Sequence, residues 1–195
     1  MVDIFIIYDR SVELFSQSVR TDALTTFFIA VTNLASPLFI AVSSVAVLLI
    51  IALYKEYRYM FGFLVAVVGT QGTVLLLKDI IGRTRPALFR PLVIETSYAF
   101  PSAHAAISVA FFGFVGFLFF HHAHTWFGRW CAVIIPSVVA ICVGASRVYL
   151  GVHFVSDVVG GWCIGVLWLI IAIIAFRHSR VTRERELRIG LKFKV

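Results

Sequence analysis

Five stretches of this chain are apolar for long enough to cross a bilayer as helices, at roughly 37–54, 59–77, 103–120, 130–145 and 157–176. The fourth is short on its own, but its helix can begin near Phe127. Helices are the default for such segments, because backbone polar groups in lipid must be satisfied within the segment. Composition leaves little alternative. Of 195 residues, 61% are hydrophobic and 14% charged, and the mean hydropathy is +0.97. A soluble domain of this length cannot hide that much apolar surface. The fold class expected is all-α, a polytopic transmembrane helix bundle. Residues 1–195 read as one domain: an amphipathic or partly inserted N-terminal helix over 1–35, a helical core over 37–176 and a basic tail over 177–195.

Lysine and arginine placement sets the expected orientation. Lys55 and Arg58 lie between the first two spans, Arg129 between the third and fourth, and seven cations from Arg177 to Lys194 follow the fifth. Alternation of five spans puts all three groups on one side, the cytoplasm. The 78–102 loop, the 146–156 loop and the N-terminus then face outside. The first 35 residues are the least constrained part. Ile4, Ile7, Ser11, Leu14, Phe15 and Val19 pattern an amphipathic surface helix. A sixth crossing built around Ala23–Val31 stays open, although Asn33-Leu34-Ala35-Ser36-Pro37 breaks that run.

The formal net charge of +7 does not indicate nucleic acid, because the basic residues sit between and after apolar segments rather than on one soluble face. Cys131, Cys142 and Cys163 lie inside apolar segments with no C-x-x-C pair, so they read as small buried hydrophobes, with neither a disulfide framework nor a metal. Met1–Arg20 lacks the basic start, apolar run and cleavage site of a signal peptide. His121, His122 and His124 read as interfacial, and the small patch around Gln71 as a helix-packing feature. Nothing in the sequence reports an oligomeric state.

Three motifs occur at span ends on the outward side: Lys78-x6-Arg85-Pro86, Pro101-Ser102-Ala103-His104, and Ser146-Arg147-x5-His153-x3-Asp157. Ionisable groups near lipid are costly and mark function by default. Lys78, Arg85 and Arg147 supply fixed positive charge. Arginine offers a planar fork matched to phosphate oxygens, and lysine a compact charge. Arg83 and Arg90 read instead as interfacial. Pro101 and Ser102 suit a helix start, whose free N–H groups form an anion site. His104 projects from that first turn. His153 and Asp157, four apart, share a face if helical. A carboxylate on one imidazole nitrogen fixes the tautomer and leaves the other nitrogen free to attack. The set can hold a phosphate, attack it and protonate a leaving group.

Taken together, these motifs resemble the three signatures of type 2 phosphatidic acid phosphatases, integral membrane lipid phosphatases that share a helical core with vanadium haloperoxidases. The match covers residues 78–157. One position departs: Ala103 stands where the family usually has glycine, which puts loop geometry in question rather than the chemistry. The resemblance implies that His153 forms a phosphohistidine, that Asp157 orients and charge-balances it, and that His104 protonates the leaving oxygen and then activates water. It implies that Lys78, Arg85, Ser102, Ala103 and Arg147 hold the phosphoryl oxygens. No cofactor or metal is expected, because three fixed cations can stabilise the charge that magnesium stabilises elsewhere. The expected partners are membrane lipids and a lipid phosphate substrate: undecaprenyl pyrophosphate, phosphatidylglycerol phosphate or phosphatidic acid. Short loops favour the first slightly. The expected location is a bacterial plasma membrane. A phosphotransferase using the same phosphohistidine and a non-catalytic lipid-binding protein are the alternatives.

Overall fold

The computed structural model describes residues 2–192, with side chains from 9 to 176. It contains α1 (Val2–Ser18), α2 (Asp22–Asn33), α3 (Pro37–Leu53), α4 (Tyr57–Ile81), α5 (Ala103–His122), α6 (Trp126–Tyr149) and α7 (Val155–Lys192), and no strand among the described residues. The basic side chains after Phe176 lie outside the described residues. The protein is an all-α polytopic membrane bundle. Helices α4, α5, α6 and the Val155–Phe176 part of α7 are each long and apolar enough to span a membrane.

The N-terminal third differs from expectation. Helix α3 has 17 residues, about 25 Å at 1.5 Å per residue, short of a hydrocarbon core of about 30 Å. It meets the span criterion only together with α2, from which it is bent by 44°. The bend falls where the sequence breaks: Ser36 caps α3 by accepting from the Phe39 N–H, and Pro37 opens the helix. With that pair as one broken span the count is five, and no sixth crossing occurs among the described residues. Twelve-residue α2 is too short to supply one. It packs along α6 instead, tied by the Thr21 N–H and the Thr25 hydroxyl to the Tyr149 hydroxyl at 3.1 and 3.2 Å.

Helix α6 is longer than the 130–145 stretch. Thr125 caps it by accepting from the Gly128 N–H. Ser146 and Arg147 therefore sit in its last turn rather than in a 146–156 loop. His153 precedes α7 and is not helical, so the shared helix face expected for His153 and Asp157 is not what pairs them.

Helix α5 is central, packed against α4, α6 and α7. Phe63, Ile107, Phe111, Phe114, Val143 and Ala172 form the core between them. Outward, Leu64, Val68, Leu75, Val138 and Ile170 expose large apolar side chains, the surface a bilayer would cover. The Gln71 patch packs as expected: Gly69 receives the Trp168 ring, whose Nε1 donates to the Thr73 hydroxyl at 2.9 Å.

The contact that matters most for function is between α5 and α7. A Cβ on Gly161 would stand 2.5 Å from the Ser102 carbonyl oxygen, and one on Gly165 2.5 Å from that of Ala106. These two glycines, one turn apart, let the backbones touch. The Ser102 N–H accordingly donates to the Asp157 carbonyl at 3.0 Å. The starts of α5 and α7 are thereby pinned together, beside the ends of α4 and α6.

Candidate active site

At this end of the bundle the predicted site residues converge. Lys78 lies in the last turn of α4 and is 5% exposed; its ammonium donates to the Tyr98 carbonyl. Gly82 ends α4 in the left-handed conformation that glycine adopts without penalty, turning the chain into the connecting segment. Arg85 follows. Its guanidinium donates to the carbonyls of Ser97 (2.8 Å) and Val152 (2.7 Å) and lies 3.3 Å from His153 Nε2. Arg147, 2% exposed, donates to Thr32 Oγ1 at 2.9 Å and pairs with Glu95. His104 sits in the first turn of α5, two residues after the Ser102 that is bonded to the start of α7.

Ser102 is the residue before α5, but its hydroxyl makes no capping bond. It is fully buried with no hydrogen-bond partner, as are Arg147 Nε and His153 Nδ1. Orphaned buried polar atoms are rare and call for a reason. Ser102 leads into α5, where the Ala103 and His104 N–H groups are also unpaired by the helix, while Arg147 and His153 lie at the end of α6 and just before α7. Ala103 is the first residue of α5, and its φ is not positive. The backbone at this position does not require glycine. Pro101 lies ahead of the serine, two residues before the first helical residue Ala103 rather than in the first turn.

Asp157 reaches back from the first turn of α7 to accept the Phe154 N–H through Oδ2 at 2.9 Å, half of a capping box. The same oxygen lies 3.5 Å from His153 Nδ1, too long for a good hydrogen bond, as is common before a substrate tightens a site. With Arg85 donating toward Nε2, the proton belongs on Nδ1 and the lone pair on Nε2.

Burial pulls the His153 imidazole down to about 4, with Arg147 and Arg85 acting in the same direction and Asp157 against them. The ring is then neutral, and able to attack, above about pH 4. An NMR titration of imidazole-labelled protein, assigned by difference against His153→Ala, is expected to find its midpoint near 4. A midpoint near the ordinary 6.5 would contradict the site as described. The sign for stability follows. Between 6.5 and about 4 the unfolded chain binds a proton that the folded one refuses, so stability falls as pH drops through this interval.

Sequence reasoning missed three contributors. Glu95 sits between Arg147 and Arg85, the latter at 3.8 Å. Burial pushes its carboxyl up, but Arg147, by charge and hydrogen bond, with His104 and Arg85, holds it below the usual carboxylate range. It is the lone acid in the 82–102 segment, which is the signal that could have found it. Thr32, from α2, carries no such signal. Arg83, expected at the interface, instead pairs with Asp157 Oδ1 at 2.6 Å.

The PAP2 superfamily profile matches residues 59–180, which hold every motif residue. The chain belongs to the PAP2 superfamily. Phosphatidylglycerophosphatase B of Bacillus subtilis is 44% identical over 93 residues, covering 47% of this chain and 45% of that protein. Lipid phosphate phosphatase 2 of Arabidopsis thaliana is 29% identical over 143 residues, covering 58% of this chain and 49% of that protein. The chain thus spans about half the length of the curated relatives it matches. Among solved structures, the PAP2-type phosphatidylglycerolphosphate phosphatase from Bacillus subtilis superposes with a TM-score of 0.78 at 29% identity, over 84% of this chain and 82% of that one. Aquifex aeolicus LpxE superposes with a TM-score of 0.66 at 22% identity, over 84% of this chain and 93% of that one, a likeness of fold.

Proposed function

We propose that this PAP2 member hydrolyses a membrane lipid phosphate through a phosphohistidine on His153, without a metal ion. The observation that carries this is the convergence of Arg85 on His153 Nε2, Asp157 on His153 Nδ1 and Arg147 beside Arg85 through Glu95, with Ser102 tied to Asp157 and its hydroxyl left without a partner. Glu95 pairs with two of the site's cations, Arg147 and Arg85, and a phosphate brings the further negative charge that all three cations can share. In the first step His153 Nε2 forms a bond to phosphorus, the bond from phosphorus to the lipid oxygen breaks, and His104 gives that oxygen its proton. Asp157 balances the charge left on the imidazole. In the second step His104 takes a proton from water, the water oxygen bonds to phosphorus, the N–P bond breaks and phosphate leaves. Lys78, Arg85, Arg147, Ser102 and the Ala103 N–H neutralise the equatorial oxygens throughout.

The names of the two Bacillus relatives, with the family membership, favour phosphatidylglycerol phosphate as substrate over the polyprenyl pyrophosphate that loop length suggested. The site end is read as outward-facing, because Lys55, Arg58 and Arg129 lie toward the opposite end and follow the positive-inside rule. Residues 1–195 are read as one catalytic domain.

Phosphate release from a panel of pure lipid phosphates in detergent, with and without chelator, tests the reading. Release that persists after chelation, and is greatest with phosphatidylglycerol phosphate, is expected. Release restored only by added Mg²⁺ would sink the metal-free mechanism. His104→Ala is expected to slow a lipid alkoxide leaving group by about 10²–10⁴-fold and an activated aryl phosphate by at least about 10-fold less, since only the poor leaving group needs the proton. Equal losses on both substrates would remove His104 from the acid role.

A further inference from the structure

Helix α1 lies across the active-site end, touching α6 and α7. Leu14 and Phe15 on it are exposed, and Asp9 is 4% exposed. Asp9 is therefore a buried carboxylate on a helix that also exposes large apolar side chains. Its partners account for it. Oδ2 accepts from Arg83 at 3.0 Å and from the Ser156 hydroxyl at 2.6 Å, and Oδ1 accepts from the Ser156 N–H at 3.2 Å. Ser156 is in the first turn of α7, so Asp9 caps that helix from another element and places negative charge at its positive end.

Arg83 is the centre of the cluster. One of its nitrogens donates both to Asp157 Oδ1 at 2.6 Å and to the Ser156 hydroxyl at 2.7 Å, while the other holds Asp9. Its plane stacks 4.5 Å from the Phe154 ring centroid. The guanidinium thus faces Asp157 rather than the phosphate cradle. The two oxygens of Asp157 are divided, Oδ1 to Arg83 and Oδ2 to the Phe154 N–H and the His153 side. That division fixes the rotation of the carboxylate, and so the direction from which it supports the imidazole. Asp9 lies outside the 59–180 stretch that the PAP2 profile matches.

We propose that Arg83 and Asp9 are positioning residues for the nucleophile, with α1 acting as a strap that locks Asp157 through the Arg83 guanidinium and Ser156. The inference rests on the phosphohistidine reading of His153. An arginine pairing fully with Asp157 would draw off the charge that the imidazolium needs. Asp9 shares that arginine, leaving Asp157 both fixed in orientation and effective in charge. Loss of either residue slows chemistry without weakening the grip on phosphate, because neither touches the cradle.

The test uses the full chain in detergent with a pure lipid phosphate. It measures kcat, KM and the rate of enzyme phosphorylation for Asp9→Asn, Asp9→Glu, Arg83→Gln and the double variant Asp9→Asn with Arg83→Gln. Arg83→Gln is expected to lower kcat and the phosphorylation rate by about 100-fold and Asp9→Asn by about 10-fold, with KM within about 2-fold, the scale on which misorientation acts. Asp9→Glu is expected to recover part of the loss. The double variant is expected to lose clearly less than the product of the two single losses, since Asp9 and Arg83 share one ion pair while Asp9 also holds Ser156. A loss confined to KM, a double variant whose losses multiply, or wild-type rates in Asp9→Asn would overturn the proposal. Asp9→Asn is nearly isosteric and guards against misfolding, which thermal unfolding of each variant checks. If active wild-type protein forms no phosphoenzyme, the covalent reading fails, and the same kcat comparison still decides the positioning role.

Discussion

Replacing His153 with alanine is expected to abolish the phosphoenzyme and lower kcat by at least about 10⁴-fold, the scale of losing a catalytic nucleophile. The expectation rests on a buried imidazole, 3% exposed, with Nε2 turned to the Arg85 side and Nδ1 to Asp157. The measurement is a rapid quench in alkaline detergent, where phosphohistidine survives, with radiolabelled substrate. His153→Gln serves as a companion that keeps volume and a polar end. A variant that still labels, or retains a tenth of the rate, would remove His153 as the nucleophile.

Arg147→Lys is expected to cost about 10²–10³-fold in kcat/KM, comparable to deleting one transition-state donor. The guanidinium spends its two terminal nitrogens on Thr32 and Glu95 and keeps Nε buried without a partner. An ammonium keeps the charge but offers no planar fork. Losing the Thr32 tie also removes one of the bonds that hold α2 to the last turn of α6, beside those to Tyr149, so thermal unfolding is measured alongside. The phosphate product serves as a second probe, because its inhibition constant is expected to rise with the loss of the fork. A lysine variant within about 3-fold of wild type on both readouts would contradict the geometry.

The sequence made the spans legible because lipid imposes one pattern on them. Helix α5 lies within a turn of the stretch expected from apolar length, and α4 runs four residues past the end of its own. The meeting of Lys78, Arg85, Ser102, His104, Arg147, His153 and Asp157 was legible for a related reason: each motif ends or begins a span on the same side. The N-terminal third was harder. Helix α2 is apolar yet only 12 residues long, and periodicity could not say whether it crosses, lies flat or joins α3 across a bend. The non-helical reach of His153 was also hidden, because a four-residue spacing fits a helix and a capping turn equally. Glu95 and Arg83 depend on how the 82–102 segment folds back over the bundle. That path is set by long-range bonds such as Leu92 N–H to the Leu150 carbonyl and Ala99 N–H to the Arg83 carbonyl. No local pattern encodes such bonds. The sequence presents Arg83 and Arg85 as near equals, and only the tertiary structure separates the one facing Asp157 from the one facing His153.

Glu95 has a consequence for life among anionic lipids. Bilayer headgroups offer phosphodiesters in vast excess over any monoester, and bare clustered cations would be clogged by them. A built-in counter-ion sets a threshold. A diester bears one negative charge, no more than the carboxylate it must evict, whereas a monoester bears up to two and can win the exchange. On the proposed function, discrimination between bulk lipid and a terminal phosphate would then begin before any bond is broken, in the displacement of Glu95 from Arg147 and Arg85.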